Sequence, residues 1–221
     1  MTECLLCKGQ IEDKSSFLRL FLLKEEGPSC CSTCYQNFER ISEEHCPCCF
    51  RNAQSDLCTD CKKWEEEGNL VQHQSIFTYN QAMKAYFSQY KFQGDYALRF
   101  VFAKATKKAV KMFREHTIVP IPVSIEKFQV RGFNQVQGIL DAGKVAYRNI
   151  LEKKDTLAQS SKTREERLQT QQAFEIKKEV DLPDKILLVD DIYTTGKTLQ
   201  LAKQILLEAG VKEVLTFSIA R

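Results

Sequence analysis

One segment decides the fold class: residues 187–198 read LLVDDIYTTGKT. Its apolar start predicts a buried strand, and two adjacent acids, Asp190 and Asp191, stand where that strand is predicted to end. A short loop rich in Thr and Gly follows and leads directly into a helix predicted over 198–209, which Gly210 would end. A strand joined in this way to a helix is typical of open α/β sheets, which bind ligands at the carboxyl ends of their strands.

The chemistry of this segment predicts a ribose-phosphate site. Free N–H groups at a helix N-terminus and a turn that contains Gly can cradle a phosphate, and Thr hydroxyls add further donors. Two adjacent carboxylates repel each other, so such a pair is typical of a site where ribose hydroxyls or a cation such as Mg²⁺ meets them. The residues predicted to form this site are Asp190, Asp191, Thr194, Thr195, Gly196, Lys197 and Thr198.

The segment has two other possible interpretations. Lys197 and Thr198 resemble the end of a Walker A motif, but that motif requires Gly at position 191, where this chain has Asp. The other alternative is an ordinary strand-to-helix connection with polar caps, which would carry no ligand. The adjacent acids and the three threonines favour the ribose-phosphate interpretation.

Apolar periodicity predicts further elements of the same class. Strands are predicted at residues 71–79, 117–123, 173–176, 185–189 and 214–219. Helices are predicted at residues 80–93, 98–113 and 134–150. This alternation predicts a mostly parallel sheet with helices on both faces, in a domain that covers residues 70–221. A polar stretch at residues 64–69 separates this domain from a cysteine-rich module over residues 1–65.

All ten cysteines lie between Cys4 and Cys61, and eight of them form four Cys-x-x-Cys pairs. Two thiolates at this spacing can bind one metal from a tight turn, and two such turns complete a tetrahedral zinc site. Eight ligands therefore predict two structural zinc ions. The predicted ligands are Cys4, Cys7, Cys31, Cys34, Cys46, Cys49, Cys58 and Cys61.

The pairing of these turns stays open at the level of sequence. Sequential pairing, with the first two turns on one ion and the last two on the other, is the simplest arrangement, but spacing does not exclude an interleaved one. Disulfides or redox dithiols are the alternative to zinc. Four pairs within 58 residues favour zinc, and four thiolates leave no open position for catalysis by the metal. Cys30 and Cys48 are left over.

Charge is unevenly distributed along the chain. Residues 71–150 hold 12 Lys and Arg against 4 Asp and Glu, whereas residues 1–70 hold 8 against 13, so an anionic partner is expected at the middle segment. One helix face there is formed by Lys104, Lys107, Lys108 and Lys111, which recur at i, i+3, i+4 and i+7. This face predicts either a solvated outer surface or a contact with the phosphate backbone of DNA.

Length and composition exclude other classes of protein. With 221 residues, of which 43% are hydrophobic, the chain can bury a core, so wholesale disorder is excluded. A run of about 18 apolar residues is absent, so we expect no membrane insertion. The first residues, Met1 to Cys4, carry no basic region, so we expect no signal peptide.

The segment at 187–198 resembles the phosphoribosyl pyrophosphate (PRPP) binding loop of type I phosphoribosyltransferases. A double zinc ribbon joined to such a domain is similar to the ComF family of competence proteins, and the resemblance extends along most of the chain. The strings that carry it are KFQGD at 91–95, PIP at 120–122 and RGFNQ at 131–135. Thr156, Gln159 and Arg167 resemble the mobile-loop residues of the family.

The resemblance implies a site and a function. It implies pyrophosphate or loop contacts from Pro120, Pro122, Arg131, Gln159 and Arg167, and Mg²⁺ bound together with a PRPP-like ligand. It also implies a cytoplasmic protein, recruited to the membrane-bound DNA uptake machinery, that handles incoming single-stranded DNA during natural transformation. The partners it implies are the competence helicase/ATPase ComFA and the recombination mediator DprA.

Three functions follow as hypotheses. The first is a competence factor whose phosphoribosyltransferase fold serves ligand binding or an unidentified activity. The second is an active phosphoribosyltransferase, a pentosyltransferase that acts on an unidentified small-molecule acceptor. The third is a scaffold that docks partners through its metal module. Ribose-phosphate binding that depends on the aspartates would separate the first two from the third, and turnover of PRPP would separate the second from the first.

Overall fold

The computed structural model describes residues 2–11, 29–52, 55–153 and 173–221. In the cysteine-rich part, β1 (Thr2–Glu3) pairs antiparallel with β2 (Gln10–Ile11), and two short helices follow, α1 (Ser32–Gln36) and α2 (Thr59–Glu66). Each helix begins directly after a cysteine, because Cys31 and Cys58 occupy the N-cap positions. Predicted metal ligands therefore lie at the starts of both helices.

A four-stranded parallel sheet lies at the centre of the remaining chain. Its spatial order is β3 (His73–Phe77), β8 (Glu213–Ala220), β7 (Lys185–Ile192) and β4 (Thr117–Pro120). Two further strands, β5 (Leu151–Lys153) and β6 (Phe174–Ile176), form a separate antiparallel pair. The predicted α/β class and the parallel sheet are confirmed.

Five helices accompany these strands in the described residues. They are α3 (Gln81–Phe92), α4 (Arg99–Val110), α5 (Ile125–Arg131), α6 (Gln135–Ala142) and α7 (Lys197–Glu208). The Asn80 side chain accepts a hydrogen bond from the backbone N–H of Met83, so the predicted cap of α3 is confirmed. None of the helices in the described ranges is long and apolar enough to cross a bilayer.

Helices cover both faces of the sheet because alternate residues of β7 point to opposite sides. Ile186 and Leu188 pack with Leu199 and Leu206 of α7 in one buried cluster. Leu187 and Val189 pack with other helices in a second cluster, whose helical members are Val110 of α4 and Val136 and Leu140 of α6. The apolar run of β7 is thus buried on both sides, as expected for a central parallel strand.

Several sequence-based boundaries are wrong. The strands predicted over 71–79 and 117–123 cover only His73–Phe77 and Thr117–Pro120. The helix predicted over 134–150 ends at Ala142, because Lys144 adopts a left-handed conformation with φ of +52° and the N–H of Val145 bonds to the carbonyl of Leu140. The strand predicted to end at Val189 continues to Ile192, because β8 offers pairing partners through Ala220. The two acids therefore lie inside β7 instead of after it.

The cysteine-rich module packs directly on the sheet domain. Four cysteines of the module share a buried cluster with residues of β4, β7 and α7, and the N–H of His73 bonds to the carbonyl of Cys48. Phe38 packs with Phe77 and Phe102 in another cluster. One continuous interior thus joins the two parts, and the division at residues 1–65 and 70–221 stays a prediction.

Candidate functional site

The predicted ribose-phosphate residues lie at the carboxyl edge of the parallel sheet. Asp190 pairs in register with Ser218 of β8, and β7 ends two residues later at Ile192. The chain then turns with the N–H of Tyr193 bonded to the carbonyl of Ala220. The structure brings both carboxylates and the loop of residues 194–198, named here the TTGKT loop, to this edge, where parallel sheets bind ligands.

Asp190 is held in a setting that disfavours its charge. Its Oδ1 accepts a hydrogen bond of 2.8 Å from the backbone N–H of Asp191. Burial is the largest influence and the charge of Asp191 the next, and together they raise the pKa of Asp190 to about 7. The charges of Lys91 and Lys153 act in the opposite direction. Asp190 can therefore change its protonation state near neutral pH.

Asp191 has a cationic partner that sequence reasoning missed. The Nζ atom of Lys91, at the end of α3, lies 2.6 Å from Oδ2 of Asp191, and each side chain is only 14% exposed. The same ammonium lies 4.7 Å from the centre of the Phe87 ring. Lys91 begins the KFQGD string, so the string itself was the available signal for this residue.

Another lysine, Lys153, lies near Asp190 and has Lys127 beside it. Burial lowers the pKa of Lys153, at the end of β5, and the nearby charge of Lys127 on α5 lowers it further, whereas Asp190 raises it. Two ammonium groups that disfavour each other's charge form a place where an anion would be stabilised. Neither lysine stands in a string that marks it in the sequence, and only the fold brings them together.

The TTGKT loop has the backbone geometry that an anion site requires. Gly196 is the N-cap of the 12-residue helix α7, with φ of +82°, and has no side chain that could cap the helix. The Oγ1 atom of Thr195 accepts a long hydrogen bond of 3.5 Å from the N–H of Lys197. A Cβ added at Gly196 would collide with the ring and hydroxyl of Tyr193, so only glycine fits. The buried Tyr193 hydroxyl itself has no hydrogen-bond partner in the described part of the chain.

The side chains of this loop face solvent. Thr194, Thr195, Lys197 and Thr198 are all exposed, whereas Gly196 is buried. Hydroxyls, an ammonium and the first N–H groups of α7 are therefore accessible at one turn. This arrangement can donate several hydrogen bonds to one phosphate.

The predicted pyrophosphate residues Pro120 and Pro122 lie beside the carboxylates. Pro120 pairs with Val189, and the N–H of Ile121 bonds to the carbonyl of Val189, so the proline-containing turn adjoins β7 one residue before Asp190. β4 ends at Pro120, three residues before the predicted end of this strand.

The residues of the RGFNQ string at 131–135 contact neighbouring parts of the protein. Asn134 caps α6 through its Oδ1 and donates from Nδ2 to the carbonyl of Ile121, so it fixes the proline-containing turn. Arg131 donates to the side-chain carbonyl of Gln135 at 3.0 Å, and its guanidinium lies 5.4 Å from the centre of the Phe92 ring. Arg131 thus lies beside the helix end that carries Lys91. Gln159 and Arg167, the remaining predicted loop contacts, and Thr156 lie outside the described residues.

The eight paired cysteines form two clusters with sequential pairing. The first cluster is Cys4, Cys7, Cys31 and Cys34, the second is Cys46, Cys49, Cys58 and Cys61, and the Sγ atoms of each lie within 4.8 Å of one another. Tetrahedral zinc with thiolate bonds of about 2.3 Å requires Sγ–Sγ separations of about 3.8 Å. The observed separations of 3.9 Å for Cys7–Cys31 and 3.5 Å for Cys49–Cys58 fit this geometry.

Backbone N–H groups stabilise one thiolate in each cluster. The N–H of Cys31 donates to Sγ of Cys4, and the N–H of Cys58 donates to Sγ of Cys46. Burial acts to raise the pKa of both thiols, but the backbone hydrogen bonds outweigh it and bring the pKa of Cys4 to about 6 and that of Cys46 to about 7. Both clusters therefore fit zinc.

Cys30 and Cys48 lie outside both clusters. Burial raises the pKa of Cys30 to about 12 and also raises the pKa of Cys48. The thiol of Cys30 donates to the carbonyl of Cys31, and Cys48 packs against the buried cluster that contains the second set of ligands. These two cysteines have the environment of packed thiols.

The four lysines predicted to share a face of one helix are exposed. Lys104, Lys107 and Lys108 lie on α4, and Lys111 follows it directly, while Phe102 and Thr106 of the same helix are buried. Lys107 and Lys108 lie in the last turn, where positive charge also stabilises the helix dipole. Exposure on one face agrees both with a DNA contact and with a solvated surface.

Two residues near the TTGKT loop carried no sequence signal. Trp64 on α2 donates from Nε1 to the carbonyl of Thr195 at 2.9 Å, and Arg221 donates to the carbonyls of Tyr193 and Thr194. All three acceptors are backbone atoms more than twenty residues away along the chain, so periodicity and spacing carry no information about these contacts.

The chain is similar to known competence proteins along nearly its whole length. It is 48% identical over 219 residues to "Competence protein ComFC" of Streptococcus pneumoniae, covering 99% of this chain and 100% of that protein. It is 34% identical over 227 residues to "Competence protein ComFC" of Bacillus subtilis, covering 99% and 94%. "Competence protein F" of Haemophilus influenzae is 24% identical over 238 residues, covering 99% and 96%.

A family model covers the C-terminal part of the fold. The model described as "Phosphoribosyl transferase domain" matches residues 136–221, which include β7, the TTGKT loop, α7 and β8. The match therefore contains both aspartates and agrees with the parallel sheet and its loop. Together with a relative that is 48% identical from end to end, it shows that the chain belongs to the ComFC family of competence proteins.

Proposed function

We propose that this protein is a late competence factor for DNA uptake in natural transformation, which handles incoming single-stranded DNA in the cytoplasm. We further propose that it binds a ribose phosphate of the PRPP type at the carboxyl edge of its sheet. Similarity to the ComFC proteins supports the competence role, and the phosphoribosyl transferase match supports the ligand class.

One observation carries the ligand proposal: two carboxylates and the N-terminus of α7, which begins at Gly196, meet at one sheet edge. The N-terminus of α7 and the hydroxyls of Thr194, Thr195 and Thr198 suit a terminal phosphate. The carboxylates of Asp190 and Asp191 suit the hydroxyls of a ribose, because ionised carboxylates accept hydrogen bonds. A sugar phosphate carries both kinds of group, so one such ligand could contact the carboxylates and the TTGKT loop together.

The lysines near the carboxylates support a second anionic group on the ligand. Lys127 lies close enough to Lys153 to lower the pKa of Lys153, and Lys91 adds a third ammonium beside Asp191. A pyrophosphate on the ribose would relieve this repulsion, with Mg²⁺ bridging phosphate oxygens and carboxylates where it binds. PRPP thus fits better than a ribose monophosphate.

Calorimetric titration of the purified protein with PRPP and Mg²⁺ tests the site. We expect saturable binding to the wild type, and a loss of at least about tenfold in affinity for Asp190→Asn, since a hydrogen bond to a charged group is worth about 1.5–3 kcal/mol. Asp184→Asn is the matched control, because Asp184 precedes β7 at the opposite end of the strand and pairs with Lys212. Equal affinity of all three proteins would contradict the proposal.

The second candidate, an active phosphoribosyltransferase, is favoured by the buried and easily protonated Asp190 next to the predicted ribose position. An assay of pyrophosphate release from PRPP in the presence of candidate acceptors measures this transferase activity. Pyrophosphate release that depends on an acceptor and is lost in Asp190→Asn would establish transfer. Binding without release would leave the ligand as a regulator or structural element of DNA handling.

Contacts with other components of transformation complete the proposal. The exposed lysines 104, 107, 108 and 111 are the proposed contact with single-stranded DNA, and ComFA and DprA are the proposed protein partners. A cytoplasmic protein recruited to the uptake machinery would receive the incoming strand there. Transformation frequency in cells that carry the Asp190→Asn gene would test whether ligand binding serves DNA uptake.

A further inference from the structure

Arg221, directly after β8, connects the second cluster to the TTGKT loop. Its Nη2 donates to Sγ of Cys49 at 3.2 Å and lies 3.5 Å from Oδ2 of Asp60. Its Nη1 donates to the carbonyl oxygens of Tyr193, at 3.4 Å, and of Thr194. One planar guanidinium therefore contacts a metal ligand with one nitrogen and the start of the TTGKT loop with the other.

The position of this guanidinium is tightly determined. Its side chain is 8% exposed, and it lies 4.6 Å from the centre of the Tyr193 ring. The N–H of Arg221 also bonds to the carbonyl of Phe77, which fixes the backbone. A buried charge must be paired, and the Sγ atom of Cys49 and the carboxylate of Asp60 are the partners of this guanidinium. Metal bound at the second cluster would fix the position of Cys49.

Trp64 makes a parallel connection from α2. Its Nε1 donates to the carbonyl of Thr195 at 2.9 Å. The helix that carries it begins after ligand Cys58 and contains ligand Cys61, three residues before Trp64. The position of Trp64 therefore depends on closure of the second cluster. A cleft of about 490 Å³ opens between Trp64 and Lys197, so α2 also forms a wall beside the TTGKT loop.

The first cluster has a different environment. Leu5 and Leu6, which lie between its ligands Cys4 and Cys7, pack with Phe38 and Phe77 on the side of α3 and α4. The second cluster instead shares its buried surroundings with Tyr193 and Leu199, the residues that flank the TTGKT loop. The two metal sites thus differ in what they support.

We propose that the metal-loaded second cluster positions the TTGKT loop for ligand binding, with Arg221 and Trp64 as the positioning residues. This deepens the proposed function and rests on it for the identity of the ligand. The three carbonyls that the two side chains hold are those of residues 193, 194 and 195, directly before Gly196. Fixing them orients the following N–H groups without contact between Arg221 or Trp64 and the ligand.

Reciprocity gives the proposal a signature that a purely structural role lacks. If metal at the second cluster favours the ligand-binding form of the loop, PRPP must favour retention of that metal by the same factor. Transfer of zinc to a chromogenic chelator should therefore slow in the presence of PRPP for one of the two ions. The coupling should disappear when the connecting side chains are changed.

The experiment uses the full chain with zinc bound and compares Arg221→Gln and Trp64→Phe with the wild type. Trp64→Phe keeps an aromatic ring but removes the N–H donor. Each variant should retain two zinc ions and show faster amide exchange over residues 193–198. Arg221→Gln should bind PRPP about tenfold more weakly, the effect of one lost charge-assisted hydrogen bond, and Trp64→Phe should have a smaller effect because its hydrogen bond is neutral. Arg221→Lys should keep the zinc but not the loop contacts, because lysine lacks the second arm.

Arg51→Gln is the matched control. Arg51 also lies 3.5 Å from Asp60, but it is 48% exposed and its carboxylate contact is on the outside of the module. Arg51→Gln should leave amide exchange over residues 193–198 unaltered. It should also leave PRPP affinity and the effect of PRPP on zinc transfer unaltered. Unchanged exchange at residues 193–198 in Arg221→Gln and Trp64→Phe would overturn the proposal.

The two proposals fail in different ways. If the wild type binds no PRPP, the proposed ligand is wrong, while the exchange measurement still decides whether the second cluster positions the loop. If PRPP binds but zinc transfer is indifferent to it, the ligand proposal stands and the positioning proposal falls. Equal loop exchange in Arg51→Gln and Arg221→Gln would likewise count against positioning by Arg221.

Discussion

The ammonium of Lys91 lies 2.6 Å from a carboxylate oxygen of Asp191, and this pair neutralises one of two adjacent acids in the candidate site. Each side chain is 14% exposed, so solvent screens the pair only weakly. The pair helps explain how two neighbouring carboxylates persist at one sheet edge. Asp191 is paired with Lys91, and the pKa of Asp190 rises to about 7 through burial and the charge of Asp191.

Replacement of Lys91 tests this division of roles. Lys91→Met should lower the free energy of unfolding by about 1–3 kcal/mol, because it leaves a mostly buried carboxylate without its cation. It should also raise the pKa of Asp190 further, since the charge of Lys91 lowers it. Urea unfolding at pH 8 measures the stability, with Lys84→Met, at an exposed position of the same helix, as control. Equal stability of the two variants would show that the pair is energetically silent.

The pKa of Asp190 predicts a specific dependence of stability on pH. Because the folded-state pKa, about 7, exceeds the ordinary value of 3.8, the folded state holds an extra proton between these values, and stability falls as pH rises through this window. Asp190→Asn should therefore gain stability over the wild type from pH 5 to pH 7, by at most about 1.4 kcal/mol per pH unit. Above pH 7 the gain should level off.

Asp191→Asn provides the contrast for that measurement. It removes the partner of Lys91, so it should be less stable than the wild type at pH 8, whereas Asp190→Asn should be more stable. Thermal unfolding of the three proteins in matched buffers from pH 5 to pH 8 compares them. A parallel pH profile for wild type and Asp190→Asn would refute the assigned role of Asp190.

Gly196 should tolerate no side chain. Gly196→Ala forces a Cβ against Tyr193 at a φ of +82°, so it should distort the TTGKT loop and abolish detectable PRPP binding. Gly210→Ala is the control, since Gly210 also has a positive φ, +97°, but open space around the added Cβ. Both changes carry backbone strain of about 1–2 kcal/mol, and only the first should affect the ligand. Wild-type affinity of Gly196→Ala for PRPP would show that ligand binding does not require the close approach of Gly196 to Tyr193.

Metal content should follow the two clusters. We predict two zinc ions per chain by elemental analysis, and two also in Cys30→Ser and Cys48→Ser, because these thiols lie outside both clusters. Cys61→Ser should lose tight binding of one ion, and Cys34→Ser should lose the other. One ion or none in the wild type would contradict the two-cluster interpretation.

The lysine face of α4 should carry part of the affinity for single-stranded DNA. Lys107→Glu/Lys108→Glu should weaken binding of an oligonucleotide and lower the slope of its salt dependence. With fewer phosphate contacts, binding releases fewer counterions from the DNA. Lys62→Glu/Lys63→Glu changes a comparable exposed pair on α2 and should have a smaller effect. Fluorescence anisotropy at several salt concentrations compares them. Identical slopes for both variants would identify the α4 face as a solvated surface.

The sequence by itself determined the class of fold and the position of the candidate site. The apolar run before Asp190 can only be buried as a central strand, and the Gly and Thr residues after it specify a turn into a helix, because these constraints are local. Asn80 as a cap is local in the same sense. The cysteine spacing likewise indicated the eight thiols that form the two clusters.

The tertiary structure decided how distant parts of the chain meet. Sequential pairing of the cysteine turns, the ion pair of Lys91 with Asp191, and the position of Lys153 near Asp190 all join segments far apart in sequence. The end of α6 at Ala142 and the extension of β7 to Ile192 also depended on neighbouring elements. Arg221 is the clearest case, because its hydrogen-bond partners Cys49 and Thr194 come together only when the module packs on the sheet. Periodicity and spacing report constraints along the chain, whereas such contacts arise from packing across it.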